Sequence, residues 1–368
     1  MASVTDSVTA TAGPDITRPR ASRREDLLTM VFATWLIVGI FVDGWAHNND
    51  KPETFFTPWH AMFYSGFLAT AVWMTWTVQR RRAEGATGPA AVPVGYGLGL
   101  AGVAVFAVGG VFDLVWHQIF GIEVDLEALL SPSHLVLFCG ALLVVTSPLR
   151  SAWNDPASRA PGFGQFLPAL LSTTLCTAMV AFMFMVFSPF LTGAMTDGPY
   201  RFAAFAIGDS NLAGWFVEEL QLEGYAAIML TTLILLAPAL LLMRRWTLPF
   251  GTFTFLLGAV GTLSAGIESF DFGPAFLAPA IAGLVGDLLY RRLRPSPERP
   301  WSMRAWAAAV PAVMWLAYFA LLAAFRTVGW SVELWSGVVA MSAMAGFALA
   351  LCVAPPPVPA ESAVAEPA

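Results

Sequence analysis

Charge is what this sequence has least of. Asp, Glu, Lys and Arg make up 12% of its 368 residues, about half the share of a soluble domain. That shortage, with a mean hydropathy of +0.67 and apolar stretches of about 20 residues recurring from end to end, excludes an ordinary water-soluble globule. Cysteine is nearly absent as well: Cys139, Cys176 and Cys352 all fall inside apolar runs, which excludes a disulfide framework. No basic patch is interleaved with aromatics and the net charge is -6, so nucleic acid is excluded as a partner. Histidine is the scarcest residue with chemistry to offer. All four (His47, His60, His117 and His134) lie in the first 134 residues.

What is present in abundance is hydrocarbon. Apolar runs bounded by charge or by Pro and Gly predict ten helices: Leu27–Ala46, Pro58–Val78, Val94–Trp116, Pro132–Ser147, Gln165–Phe187, Gly224–Met243, Leu248–Ile267, Pro274–Tyr290, Ala305–Phe325 and Val332–Val353. The expected fold is all-α, a polytopic integral membrane helical bundle of about 10 transmembrane helices, with the lipid bilayer as its first partner. Residues 1–24 read as a disordered cytoplasmic segment without a signal-peptide pattern. Residues 25–150 read as a four-helix metal-binding unit, residues 151–353 as six further transmembrane helices, and residues 354–368 as a disordered tail.

Arginine sets the expected orientation, because positive loops stay cytoplasmic. With both termini inside, Arg18, Arg20, Arg23, Arg24, Arg80, Arg81, Arg82, Arg150, Arg159, Arg244, Arg245, Arg291, Arg292, Arg294, Arg299 and Arg304 share one side, leaving Lys51, Arg201 and Arg326 outside. The outer loops are acidic, with Asp50, Glu53, Glu123, Asp125, Glu127, Asp197, Asp209, Glu218, Glu219, Glu223, Glu268 and Asp271, and would attract cations. Arginine in place of lysine, with much Ala, Gly and Pro, points to a GC-rich bacterial source and so to a bacterial plasma membrane.

The histidines form two copies of one pattern. Asp43-x3-His47 closes the first span and Thr57-Pro58-Trp59-His60 opens the second; Asp113-x3-His117 closes the third and Ser131-Pro132-Ser133-His134 opens the fourth. Gly66 and Gly140 follow the later histidines by six residues. Residues at i and i+4 share a helix face. Thr or Ser suits the N-cap and Pro the first helical position, which puts His60 and His134 in the first turn. A short loop then returns that histidine to the Asp/His face. The loops differ, with 12 residues between the histidines of the first copy and 16 in the second.

An unpaired Asp toward hydrocarbon costs about 2.5–3.5 kcal/mol on insertion scales. A divalent metal on one carboxylate and two imidazoles removes that cost, and the ligand set suits copper, zinc or iron rather than calcium or magnesium. The candidate ligands are therefore Asp43, His47, His60, Asp113, His117 and His134. The plainer reading of any one of them is an interfacial hydrogen-bonding pair, but that leaves the duplication unexplained.

At these residues the sequence resembles the membrane C subunit of the copper membrane monooxygenases, the particulate methane and ammonia monooxygenase family. Asp43-x3-His47 followed by Phe56-Thr57-Pro58-Trp59-His60 keeps the spacing of that family's copper motif, and Trp116-His117-Gln118 with Ser131-Pro132-Ser133-His134 is similar to it. The family's second site uses Asn where this sequence has Asp113. The resemblance covers residues 27–147 and implies a copper protein that oxidises a small apolar substrate with O2 beside other monooxygenase-type subunits or as a homo-oligomer. Two other readings of the same residues stand beside it: a zinc-dependent intramembrane hydrolase, and a non-catalytic copper uptake, handling or sensing protein. Haem ligation by paired histidines would leave both aspartates unexplained.

Other features have plain explanations. Cys176, Met179 and Met183 share a face of the fifth span, with Met185 and Met195 beyond; they suit a Cu(I) path, but core packing is the ordinary role of Met, as it is for Met62 and Cys139. Trp45, Trp59, Trp116 and Trp215 read as an aromatic belt, the first three also as walls of the metal sites. Tyr200–Glu223 reads as an interfacial segment, an outer loop or a lid. Glu268 and Asp271 read as outer groups or as neighbours of the sites, and Asp287, just before Arg291, as a structural partner at the cytoplasmic end.

Overall fold

The computed structural model describes residues 18–51, 54, 56–121, 125–156, 159–207 and 210–355. Thus residues 1–17 and 356–368, and among the outer acids Glu53, Glu123 and Asp209, lie outside the described residues. The chain forms α1 (Arg23–Asn48), α2 (Pro58–Ala83), α3 (Gly97–Phe120), the short α4 (Asp125–Leu130), α5 (Pro132–Val145) and α6 (Ser147–Trp153). It continues with α7 (Phe163–Met183), α8 (Asp197–Ala206), α9 (Ser210–Arg245), α10 (Thr252–Ile267), α11 (Ala278–Leu293), α12 (Pro300–Phe325) and α13 (Val332–Val353). No strand forms among the described residues.

Among the described residues, eight helical stretches are long and apolar enough to cross a membrane: α1, α3, α5 with α6, α7, α9, α11 with the 3-10 turn before it, α12 and α13. The other two expected spans fall short for different reasons. Helix α10 has 16 residues, about 24 Å of rise against roughly 30 Å of hydrocarbon. Helix α2 has 26 residues, but His60, Tyr64, three threonines and Arg80, Arg81 and Arg82 dilute its apolar content.

Helix α9 starts at Ser210, one long helix where the sequence suggested a loop and then a span from Gly224. With α8 it accounts for most of the Tyr200–Glu223 segment, and Phe202, Phe205, Leu212 and Trp215 stand exposed along it. Val108, Val111, Val115 and Ile119 likewise leave one face of α3 exposed, the surface expected of a helix against lipid.

The core runs through α1, α7, α10 and α12, with Leu36, Ile37, Leu170, Phe253, Trp306, Trp315 and Tyr318 fully buried. Without water, buried donors need internal partners. Trp315 Nε1 donates to Thr232 Oγ1 at 2.8 Å, Trp306 Nε1 to the Gly286 carbonyl at 2.8 Å and the Tyr318 hydroxyl to the Pro189 carbonyl at 2.7 Å. Asp287 works the same way, but not toward Arg291. It accepts from Phe253 N at 3.2 Å, Thr254 N at 2.9 Å and Thr254 Oγ1 at 2.7 Å, satisfying the open N-terminus of α10. Arg291 lies over the Phe250 ring instead.

The two ends of the bundle differ in charge. At one, Arg80 and Arg81 pair with Glu25 at 2.6 and 2.9 Å, Arg20 pairs with Asp155 at 2.5 Å, and Arg23 donates to the Gly164 carbonyl at 2.7 Å. At the other, Trp45 Nε1 donates to Ser269 Oγ at 2.9 Å, Asn49 to the Ile267 carbonyl at 2.9 Å and Asn48 to Glu268. This second end carries the histidines.

Candidate metal centre

Each histidine pair is delivered by the same local device. Thr57 caps α2 and accepts from His60 N at 3.4 Å; Ser131 caps α5 and accepts from His134 N at 3.4 Å, with Pro opening both helices. The capped helix then packs against the one before it through glycine. A Cβ on Gly66 would lie 2.5 Å from Leu36 N, and one on Gly140 would lie 2.7 Å from Phe106 N. Leu36 and Phe106 each precede their aspartate, Asp43 and Asp113, by seven residues. The duplication in the sequence is thus a duplication of one helix crossing.

That crossing closes both clusters. Asp43, His47 and His60 offer ligand atoms within 4.8 Å of one another, and so do Asp113, His117 and His134. In the first cluster Nε2 of His60 is 3.2 Å from Asp43 Oδ1, and Nε2 of His47 is 3.7 Å from Oδ2. In the second, Nε2 of His117 and of His134 lie 3.4 and 3.1 Å from Asp113 Oδ1. All six residues named from sequence therefore come together, three and three.

The second cluster shows why a cation fits. His117 Nδ1 is 3.0 Å from the Gly121 carbonyl and His134 Nδ1 bonds the Ala128 carbonyl. A carbonyl only accepts, so both Nδ1 atoms carry protons and a neutral ring presents its lone pair at Nε2. Where both rings are neutral, two lone pairs and a carboxylate oxygen converge, and a cation between them relieves the repulsion. The O–N separations of 3.1 and 3.4 Å run from an ordinary N–H···O hydrogen bond to beyond one. They match the edge of about 3.3 Å between ligands bound tetrahedrally at 2.0–2.1 Å. Carbonyl contacts of this kind also orient histidines where a metal is bound. Asp113 is 2% exposed and its Oδ1 also accepts from Ser133 Oγ at 2.9 Å, while Oδ2 accepts from the Tyr64 hydroxyl at 3.3 Å.

The longer second loop has a purpose visible here: α4 supplies the Ala128 carbonyl to His134. It also contributes Leu126 and Leu129 to a cleft of about 720 Å³ lined by Asp43, His47, His60, Asp113 and His134. Both clusters face that one cleft. Its apolar walls are Phe63, Phe106, Leu137, Phe138 and Phe182, with Met179, Met183 and Met185 among them and Glu223 and Asp50 as further acids.

Several residues went unremarked as site neighbours in the sequence. Tyr64 follows His60 by one helical turn, a signal that was there to use. Glu223, from α9, reaches the cleft wall and bonds Thr192, and only tertiary packing reveals that. The tryptophans do not wall the cleft: Trp45 bonds Ser269 and Trp116 packs against Phe112 and Phe120 at ring distances of 5.7 and 4.4 Å. Glu268 sits beside the first cluster through Asn48, the residue after His47. Burial lifts its carboxyl above the ordinary carboxylate value, Asp271 adds to that, and the Asn48 bond opposes it. Asp271 receives Arg326 on its backbone carbonyl at 2.5 Å. Comparison with protein-family models, with curated proteins and with solved structures gives no match to this chain.

Proposed function

We propose that this chain is a multi-pass protein of the bacterial plasma membrane that holds copper at Asp43, His47 and His60 and at Asp113, His117 and His134, in the manner of the copper membrane monooxygenase C subunit it resembles. In this reading α2 and α10 complete ten crossings, both termini are cytoplasmic, and the sites open toward the acidic outer face. The observation that carries the proposal is the convergence of imidazole Nε2 atoms on one carboxylate, made twice at one end of the bundle.

Copper is favoured over zinc by the cleft rather than by the six ligands. Met179, Met183 and Met185 stand in the same wall as the histidines, and thioethers attract Cu(I) but not zinc. The phenylalanine and leucine side chains of the remaining wall would hold a small apolar substrate and exclude water. Copper bound there would supply the means to activate O2. Asp43 and Asp113 would balance its charge, the histidines would fix its geometry, and partner subunits or a reductant would supply electrons. A zinc hydrolase would use the same six residues with an open position for water.

The test is metal analysis of the purified membrane protein beside Asp43→Ala, His60→Ala, Asp113→Ala and His134→Ala. Wild type should carry copper, and each variant should lose the ion of its own cluster. Copper content unchanged in all four variants would refute the assignment, and zinc in place of copper would favour the hydrolase.

A further inference from the structure

The two clusters are joined by a side chain that belongs to the first by its helix and to the second by its hydrogen bond. Tyr64 lies four residues after His60, on the same face of α2, and its hydroxyl donates to Asp113 Oδ2 at 3.3 Å. The corresponding residue of the second copy, four after His134, is Phe138. The phenol is therefore a feature of one copy that serves the other.

The ring is not free to turn away. Phe63 packs on it with ring centroids 4.2 Å apart, Phe106 meets it edge-on at 6.4 Å, and a Cβ on Gly110 would approach its Cε1 to 3.0 Å. Carried on α2 with few orientations open to it, the hydroxyl takes Oδ2 of Asp113, while Oδ1 meets the two imidazoles and Ser133.

We propose that Tyr64 couples the two metal sites into one unit, as a positioning residue. This rests on the metal reading above. An ion at the first site pins His60 and with it the opening turns of α2, which hold the Tyr64 hydroxyl against Asp113 Oδ2 and keep Oδ1 aimed at the second ion. Filling the first site therefore raises the affinity of the second, and by linkage the reverse holds.

The experiment is titration of the purified, metal-stripped protein with Co²⁺, followed by visible absorption, on wild type, Tyr64→Phe, His60→Ala and the double variant. His134→Ala assigns the bands of the second site. Tyr64→Phe keeps the ring and its packing, and thermal melting checks that it is folded. It should weaken the second site about 10- to 100-fold, as loss of an outer partner does, and shift that site's bands, while the first site, titrated with the second removed by His134→Ala, keeps its affinity. His60→Ala should weaken the second site about fivefold or more where Tyr64 is present and have no effect on it in the Tyr64→Phe background. Two cobalt sites with unchanged affinity and spectra in Tyr64→Phe would overturn the coupling and leave the metal reading standing. A first site that Tyr64→Phe weakens even in the His134→Ala background would also overturn it, as a general structural effect. A wild type that takes up neither Co²⁺ nor Cu²⁺ would overturn both.

Discussion

A single methyl group at Gly66 or Gly140 should open a metal site that it does not touch. An alanine Cβ at Gly140 would lie 2.7 Å from Phe106 N and 2.8 Å from its Cα; at Gly66 it would lie 2.5 Å from Leu36 N and 2.7 Å from its Cα. Both obstacles are main chain of a packed helix, so no side chain can swing aside. Heavy atoms settle near 3.5–4.0 Å, and the helices must separate by about 1 Å. Such overpacking costs roughly 1–3 kcal/mol. The larger effect is on the ligands. The same displacement at His134 carries its Nε2 from 3.1 Å to about 4 Å from Asp113 Oδ1, too wide an edge for ligands bonded at 2.0–2.1 Å. The second site of Gly140→Ala should lose on the order of 10- to 100-fold in metal affinity, the scale of removing an outer partner. Gly66→Ala should do the same to the first. Gly337→Ala is the control, because nothing lies within 4 Å of its Cβ; it should bind metal as wild type and gain up to about 1 kcal/mol from helix propensity. Competition titration with a chromophoric chelator and thermal melting in detergent read both effects. A Gly140→Ala protein that binds its second ion with wild-type affinity would refute the claim that the crossing sets the site.

Three further outcomes test separate parts of the structure. Ser133→Ala removes the 2.9 Å bond to Asp113 Oδ1 and should weaken only the second site, by roughly tenfold; equal loss at both sites in a metal titration would contradict it. Asp287→Ala strips three donors at the start of α10 and should cost about 1–2 kcal/mol, the scale of a lost helix cap, without changing metal content; a melt that does not move would count against it. Glu268, with its carboxyl lifted by burial, holds its proton more tightly folded than unfolded, so its contribution to stability falls as pH rises through the window just above the ordinary carboxylate range. Glu268→Gln keeps an acceptor for Asn48 and should flatten that limb of the stability profile, whereas a steeper limb in melts across pH would contradict the assignment.

How far the site could be read in advance depended on how local its parts are. Asp43 and His47 share one helix, Thr57, Pro58 and His60 one helix start, and the same holds for the second copy, so spacing alone brought six candidate ligands into two groups. Helix type was equally legible, since hydrocarbon length and charge are properties of a window of sequence. The parts that escaped depend on which helix lies beside which. Tyr64 reaches Asp113 only because α2 and α3 are neighbours, Glu223 lines the cleft with the histidines only because α9 packs beside it, and Asp287 caps a helix 33 residues away. The same division explains where the repeat is exact and where it is not. Glycine contacts, caps and ligands recur at equal offsets because each copy must bring one capped histidine onto one aspartate. Trp59 against Ser133 and Tyr64 against Phe138 differ: Ser133 serves the aspartate of its own copy, whereas Tyr64 reaches that of the other. Of these four, Ser133 and Tyr64 are the two that bond Asp113, so both departures from the repeat meet at the second carboxylate.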